Sequence, residues 1–322
     1  MGQLMIPEDD YLGRALNSNF SELYSANILI RNRLTAIEDI YGKGAHFYLD
    51  KVNGDDENDG TTWALAVKTP QAAIDLTTDY NGDVIHATRG SLHVTTPLLF
   101  NKVGISLIAD WGLAGHHNGE GFMITTDDVY TDAPAGIITQ PCRIVGMGFS
   151  ADWAGHGALV SDDTNGGFEG GWYQIIGCRF PNWNEVKDSY AIEIIGGEGM
   201  IIEDCDFDGS LNGAYGNVNR RFAAGVLVSQ AGHNAGLQVR NNLFKNCTYM
   251  IEHAANGANG FEYRGNRVVG AGKGIKFGAA TPQIGLVADN YFGTATDATT
   301  YDDTIVNLKA LGVTFSGNHY TE

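Results

Sequence analysis

The chain has few cysteines, few prolines and few basic side chains, and each shortage excludes a class of protein. Its four cysteines, Cys142, Cys178, Cys205 and Cys247, have no metal-ligand spacing. Seven prolines against 43 glycines indicate strands joined by tight turns, not a disordered chain. With 20 basic and 38 acidic side chains, the net charge is −18. Because phosphate binding needs a basic footprint, we expect no nucleic-acid partner.

Long apolar runs and targeting segments are also missing. No stretch approaches the ~20 apolar residues that a membrane span needs, so we expect no membrane insertion. The first ten residues lack the basic and apolar segments of a signal peptide. We therefore expect a protein made in a reducing cytoplasm, with an acidic surface that keeps it soluble at high local concentration.

The N-terminal 42 residues carry a heptad pattern. Residues that are apolar except for Asn27 step by four and three in alternation, which predicts a coiled-coil seam: Leu16, Phe20, Leu23, Asn27, Ile30, Leu34, Ile37 and Tyr41. Asn27 falls at an a position, where a polar residue fixes register and oligomer state. A single amphipathic helix is the alternative, because Ile28, Leu29 and Ile40 lie off the seam. We predict a homotrimeric coiled coil over residues 15–42, preceded by an attachment peptide over residues 1–14.

One short strand motif recurs seven times in the C-terminal half. The repeats align on Met147, Cys178, Cys205, Asn242, Asn266, Asn290 and Asn318. Three residues earlier each repeat has an apolar or aromatic side chain, and two residues later six of the seven are aromatic. Because strand side chains alternate, we expect both series to point into the core. A period in the twenties to thirties indicates a solenoid, because each coil buries its face only against its neighbours. We predict an all-β, right-handed parallel β-helix whose regular coils occupy residues 112–322.

The central residue of each repeat is predicted to lie at a bend. An Asn there is expected to stack in a ladder and to hydrogen-bond neighbouring backbone. Cys178 and Cys205 take the same position on adjacent coils, so we interpret them as small buried fillers, with a disulfide as the alternative. Three outward residues, Val145, Ile176 and Ile201, form an apolar strip that favours side-by-side packing of three β-helices.

Residues 43–111 contain a second set of patterns. The segments are Tyr48-Leu49-Asp50, Gly54-Asp55, Asn58-Asp59-Gly60, Lys68 through Ile74, and Gly82 through Ile85. They resemble the N-terminal cap of the pectate-lyase-like parallel β-helix superfamily, which includes phage tailspikes. The resemblance implies a strand, a tight loop, a capping helix and the first coil. Thr69 is the expected N-cap of that helix and Pro70 its first residue.

A coiled-coil leader before such a β-helix looks like a trimeric bacteriophage tailspike or tail fibre. The resemblance implies a virion protein whose N-terminus docks on other tail or capsid proteins and whose β-helix recognises host surface polysaccharide. The alternative is a depolymerase, a glycoside hydrolase or lyase that cleaves host capsule or lipopolysaccharide. The fold alone does not decide between them, because the superfamily contains lyases, hydrolases, esterases and non-catalytic spikes.

The densest carboxylate group of the repeats is the run from Glu203 to Asp208. A glycoside hydrolase needs two carboxylates, and their separation sets the stereochemistry. We expect Glu203 and Asp206 to project outward as catalytic candidates, with Asp204 and Asp208 at turns and Glu193 and Glu252 completing a groove. The alternative is a structural charge ladder, because Glu203 aligns with Arg240 one coil later.

Ligand contacts are expected in loops, because loops carry function on rigid solenoids more often than regular strands do. Trp111, Trp153 and Trp183 lie in such loops and are the candidates to stack on sugar rings, although core packing explains any one of them equally well. The acidic loop over residues 55–60 has Ala66 at the position where an EF-hand needs its bidentate Glu. We therefore interpret it as an Asx-rich turn and expect neither a metal nor a cofactor.

Overall fold

The computed structural model divides the chain into two compact units, Met1–Gly44 and Ala45–Glu322. It describes residues 44–88, 90–109, 122–126, 133–150, 156–162, 173–182, 189–209, 222–229, 236–254, 259–269, 273–277, 284–293 and 313–320. The predicted attachment peptide, the coiled-coil seam and the loop tryptophans Trp111, Trp153 and Trp183 lie outside these residues, so their roles stay predictions. No helix of the described residues is long and apolar enough to cross a membrane.

Nearly all regular structure in the described residues is β-strand, arranged in three long parallel sheets. Sheet A contains β1 (His46–Leu49), β2 (Val84–Ala87), β5 (Ile105–Ala109), β8 (Cys142–Val145), β11 (Gln174–Ile176), β14 (Ile201–Glu203), β17 (Gln238–Arg240), β20 (Asn259–Arg264), β23 (Ile284–Ala288) and β25 (Val313–Ser316). Sheet B contains β3 (Gly90–Val94), β6 (Phe122–Thr126), β9 (Met147–Ser150), β12 (Arg179–Pro181), β15 (Asp206–Asp208), β18 (Leu243–Lys245), β21 (Arg267–Val269), β24 (Tyr291–Phe292) and β26 (His319–Tyr320). Sheet C contains β4 (Leu98–Phe100), β7 (Gly136–Ile138), β10 (Gly157–Ser161), β13 (Tyr190–Ile194), β16 (Phe222–Val228), β19 (Cys247–His253) and β22 (Lys273–Phe277).

The chain winds through the three sheets in turn. Strands β8, β9 and β10 belong to sheets A, B and C, and β11 returns to sheet A beside β8 in parallel. The next coil repeats this order, and from β2 to β22 each coil adds one strand to each sheet. This is the architecture of a parallel β-helix or solenoid, as the sequence repeat predicts.

Inward side chains form columns through the core. In sheet A the column is fully buried and in register: Leu107, Ile144, Ile175, Ile202, Val239, Tyr263 and Val287. In sheet B the rings of Phe149, Phe180, Phe207 and Phe244 stack, with successive centroids 6.0, 5.0 and 4.4 Å apart. Burying one such side chain contributes roughly 1.5–3 kcal/mol, so these columns are the main source of stability.

A residue with positive φ lies at the start of each bend from sheet A to sheet B, immediately before the central residue of the repeat. These residues have φ between 55° and 68°: Gly146, Gly177, Asp204, Asn241, Gly265, Asp289 and Gly317. Gly, Asn and Asp are the residues that tolerate this left-handed conformation most readily. The bend therefore places the next side chain inward, where the predicted ladder begins.

The asparagine ladder is confirmed. The backbone and side-chain N–H groups of Asn242 both donate to Asn266 Oδ1 at 3.0 Å. Asn266 donates in the same way to Asn290 Oδ1, at 2.9 and 3.0 Å. Each side chain thus satisfies buried backbone groups of a neighbouring coil.

Two cysteines continue this ladder, and they are free thiols. The Cys205 backbone N–H donates to Asn242 Oδ1 at 2.8 Å, and its thiol donates to the Glu203 carbonyl at 3.3 Å. The Cys178 thiol donates to the Ile176 carbonyl at 3.5 Å. Burial raises the pKa of the Cys205 thiol. The structure therefore supports the buried-filler interpretation over the disulfide.

The cap region matches the predicted order of strand, loop and helix. The helix α1 (Pro70–Leu76) begins after Thr69, whose Oγ1 accepts the Ala72 N–H at 3.3 Å. In the acidic loop, Asp56 Oδ1 accepts the backbone N–H groups of Lys68 and Thr69, each at 2.8 Å. The parallel coil already starts in this region, because β1, β2 and β5 pair in sheet A.

Candidate functional site

The predicted carboxylate run lies on the bend between β14 and β15. Glu203 ends β14 on sheet A and Asp206 begins β15 on sheet B, with Asp204 between them at φ 55°. Both candidate side chains point away from the core, but they leave from two different sheets. Glu193 lies on β13 in sheet C, so the structure does not place all three candidates on one face.

Glu203 takes part in a ladder of charges along sheet A. Its Oε2 lies 3.4 Å from Nη2 of Arg240, its cross-strand neighbour on β17. Arg264 follows on β20 and pairs with Glu262 and Asp289, each at 3.4 Å. These side chains are partly exposed, so each pair contributes at most about 1 kcal/mol. The arrangement matches the charge ladder that the sequence left open as the alternative to catalysis.

Asp206 is outward but only 5% exposed. The Lys245 ammonium lies 2.9 Å from its carboxylate and 3.7 Å from Asp208 Oδ2. Asp208 belongs to strand β15 and is the cross-strand partner of Lys245, so its predicted place at a turn is wrong. Strand β15 continues to Asp208 because this residue pairs in register with Pro181 and Lys245 on the two neighbouring strands. Asp206 would have to release Lys245 before it contacts a substrate hydroxyl.

A second group of carboxylates lies on sheet C. Its cross-strand register aligns five outward side chains, here named the sheet C row: Val160, Glu193, Leu227, Glu252 and Lys276. Glu193 and Glu252 are only 4% and 7% exposed although they point away from the core. Strands in a sheet lie about 4.7–4.9 Å apart, so their Cα atoms, two strands apart, are separated by roughly 9–10 Å.

Both glutamates of the sheet C row have partners. His156 Nδ1 donates to Glu193 Oε2 at 3.0 Å, and the Gly157 N–H donates to the same oxygen at 3.3 Å. Lys276 donates to Glu252 Oε1, and this hydrogen bond raises the pKa of Lys276. The sequence pattern indicated Glu193 but not its hydrogen bond with His156. The two residues are 37 positions apart, and no repeat position aligns them.

A partly exposed group of rings lies at the cap end of sheet A, and the sequence analysis did not predict it. We name His46, Tyr48, Trp63 and His86 the ring cluster. Centroid separations are 5.2 Å for His46–His86, 5.4 Å for Tyr48–His86 and 4.7 Å for Tyr48–Trp63. The available signal was the alternation of His46 and Tyr48 with the buried Phe47 and Leu49 along β1.

The predicted apolar strip forms part of the same outer face. Ile108, Val145 and Ile176 follow His86 in register on successive strands, and Ile201 lies in the adjacent outward row. Val145 is 4% exposed, while Ile176 and Ile201 are half-buried. The strip is therefore less exposed than the sequence pattern implied.

Comparison with solved structures finds similar chains. No protein-family description and no curated protein matches the chain. Two solved structures of the GH136 lacto-N-biosidase from Eubacterium ramulus match it. The selenomethionine derivative has a TM-score of 0.42 and 13% identity, and the native protein 0.40 and 12%. The alignments cover 96% and 97% of this chain but 60% of the lacto-N-biosidase, so the chain spans about three fifths of that protein's length.

Proposed function

We propose that the protein is a trimeric phage virion spike or fibre that docks by its N-terminus and presents its parallel β-helix to host surface glycans without cleaving them. The heptad pattern of residues 15–42 supports the trimer, and the rigid stack of parallel coils suits a long presenting surface. The binding-only proposal depends on one observation: Glu203 and Asp206 are both engaged by cations of neighbouring strands.

The test is to incubate the protein with polysaccharide from the bacterial host and to measure binding and new reducing ends together. We expect the glycan to bind and to remain intact. New oligosaccharides that disappear in Glu203→Gln or Asp206→Asn would refute the binding-only proposal. Glu262→Gln is the matched control, because this glutamate also pairs with an arginine on the outer face of sheet A.

A depolymerase is the second candidate, and the sheet C row favours it. An inverting glycosidase holds its two carboxyl groups about 6.5–9.5 Å apart, and Glu193 and Glu252 project from the same outward row with Cα atoms roughly 9–10 Å apart, from which their carboxyl groups can reach that separation. Their burial would strengthen electrostatic effects on a bound substrate. If reducing ends appear, loss of activity in Glu193→Gln and Glu252→Gln, with Glu203→Gln active, would assign cleavage to the sheet C row.

The trimer is tested separately by analytical ultracentrifugation of the intact chain and of a variant that lacks residues 1–42. We expect the intact chain to sediment as a trimer and the shortened chain to lose that association in whole or in part. A monomeric intact chain would refute the proposal.

A further inference from the structure

The ring cluster occupies the outer face of the first two strands of sheet A. Tyr48 and His86 are direct cross-strand neighbours on β1 and β2, and their rings stack at an interplanar angle of 20°. His46 and His86 share a hydrogen bond, Nδ1 to Nε2, at 2.9 Å, and their rings lie edge to edge in nearly one plane, 11° apart. Trp63 is 43% exposed, and its ring lies 4.7 Å from that of Tyr48 at an interplanar angle of 56°. Four rings thus form one continuous, partly exposed surface.

The backbone around the cluster holds these rings in place. The Tyr48 N–H donates to the Gly60 carbonyl at 2.8 Å, and the Val67 N–H donates to the Tyr48 carbonyl at 3.0 Å. The loop that carries Trp63 is therefore anchored on both sides of its short 3-10 helix, Trp63–Leu65. Thr62 caps that helix by accepting the Leu65 N–H at 3.3 Å. Rings fixed before binding lose little conformational entropy when a ligand arrives.

We propose that the ring cluster is a stacking platform for a neutral pyranose unit of the recognised glycan, an inference that rests on the proposed glycan-binding function. The C–H face of a pyranose packs on the exposed indole of Trp63, the tilted phenol ring of Tyr48 contacts its edge, and its hydroxyls exchange hydrogen bonds with the exposed imidazole of His46. Amphipathic rings combine apolar contact with polar edges in this way.

The chemistry of the surface favours a neutral sugar over other occupants. His46 is exposed, and the imidazole nitrogen that does not face His86 needs a polar partner when water is displaced; a hydroxyl group supplies one, whereas an apolar protein surface does not. A polyanionic glycan would approach a protein of net charge −18 against its electrostatic field. The exposed Trp63 and the two histidines therefore fit an uncharged, hydroxyl-rich ligand.

The test uses the intact protein on an array of oligosaccharides that contains neutral hexose and hexosamine chains beside chains that bear uronic or sialic acids. Affinity for the best neutral chain is then measured by calorimetry for wild type, Trp63→Ala, Tyr48→Ala and Tyr48→Phe. We expect the two alanine variants to bind roughly tenfold more weakly, as for truncated aromatic hot spots, and Tyr48→Phe to keep most of the affinity.

Tyr291→Ala is the matched control, because Tyr291 is 37% exposed, lies on sheet B and contacts Arg267. It should bind as wild type does, and all variants should share the wild-type melting midpoint.

If wild type binds and the alanine variants bind as tightly as wild type, the platform is refuted while glycan recognition stands. Binding to acidic chains alone would refute the neutral ligand class. If wild type binds no chain, the proposed function fails and the platform with it. Loss of trimer in Trp63→Ala with unchanged glycan affinity would identify the cluster as a subunit contact and overturn the proposal.

Discussion

Acidification should destabilise this protein through one histidine in its core. His253 ends β19 and is 1% exposed, and its Nε2 shares a hydrogen bond of 2.7 Å with the buried Tyr263 hydroxyl. The rings of Phe261 and Tyr263 lie 5.8 and 6.0 Å from its own. Burial among these rings disfavours the imidazolium and lowers the pKa of His253 to about 3.

The magnitude follows from proton linkage. In the unfolded chain His253 has an ordinary pKa of about 6.5, so it binds a proton below that pH while the folded protein does not until about pH 3. The free energy of unfolding is therefore unaffected by His253 above about pH 6.5. Below it the free energy falls by about 1.4 kcal/mol per pH unit, which amounts to about 2 kcal/mol at pH 5.

The assay is urea unfolding at pH 7 and pH 5, for wild type and for His253→Gln. Glutamine is neutral at both pH values and can still hydrogen-bond to the Tyr263 hydroxyl. Carboxylate titration affects both proteins alike, so the difference between their pH effects isolates His253. We expect wild type to lose about 2 kcal/mol more than the variant between pH 7 and pH 5. Equal losses in the two proteins would refute the reasoning.

Three further predictions concern the ladder, the ring column and the buried ion pair. Asn266→Ala should lower the free energy of unfolding by about 2–4 kcal/mol, because it leaves the buried Asn242 N–H and the Val239 carbonyl of the preceding coil without their partner. The same change at Asn318, the last described member of the ladder, should cost less, because Asn318 is partly exposed. Equal losses in thermal unfolding would contradict the ladder's role. Phe207→Ala should lower the free energy of unfolding, measured in urea, by about 3–5 kcal/mol, and Phe207→Leu by clearly less, because leucine leaves a smaller cavity. Equal losses in the two variants would argue against stacking in the core. Lys245→Met should lower the free energy of unfolding by about 2–4 kcal/mol, since it leaves the buried carboxylate of Asp206 unpaired. Arg240→Met, in the more exposed pair, should lower it by under about 1 kcal/mol. The reverse order in thermal unfolding would show that Asp206 does not depend on its lysine.

The core of this protein could be predicted because its positions repeat. Ile202, three residues before the bend, and Phe207, two residues after it, were expected to point inward, and both are fully buried. Strand side chains alternate with a period of two, and each coil packs on a coil with the same pattern, so errors of register would expose a whole column. The pairing of Glu203 with Arg240 was accessible for the same reason, since both occupy one repeat position.

Contacts that run diagonally between strands could not be predicted in this way. Lys245 lies across from Asp208 in the repeat, yet its ammonium is nearer to Asp206. A long, flexible side chain chooses among several carboxylates according to burial, which the repeat does not encode. The sequence therefore identified the carboxylates but not which of them is neutralised.

The sequence by itself determined the coil, the inward columns and the asparagine ladder, because burial between like coils imposes the same residue types at each turn. Only the tertiary structure decided which outward side chains meet. His156 reaches Glu193 across 37 residues, and Tyr48 meets His86 across an intervening loop and helix. The segments between strands vary in length, so neighbours on the outer face have no fixed spacing in the chain. The candidate sites lie on that outer face, where folding and not periodicity brings the chemical groups together.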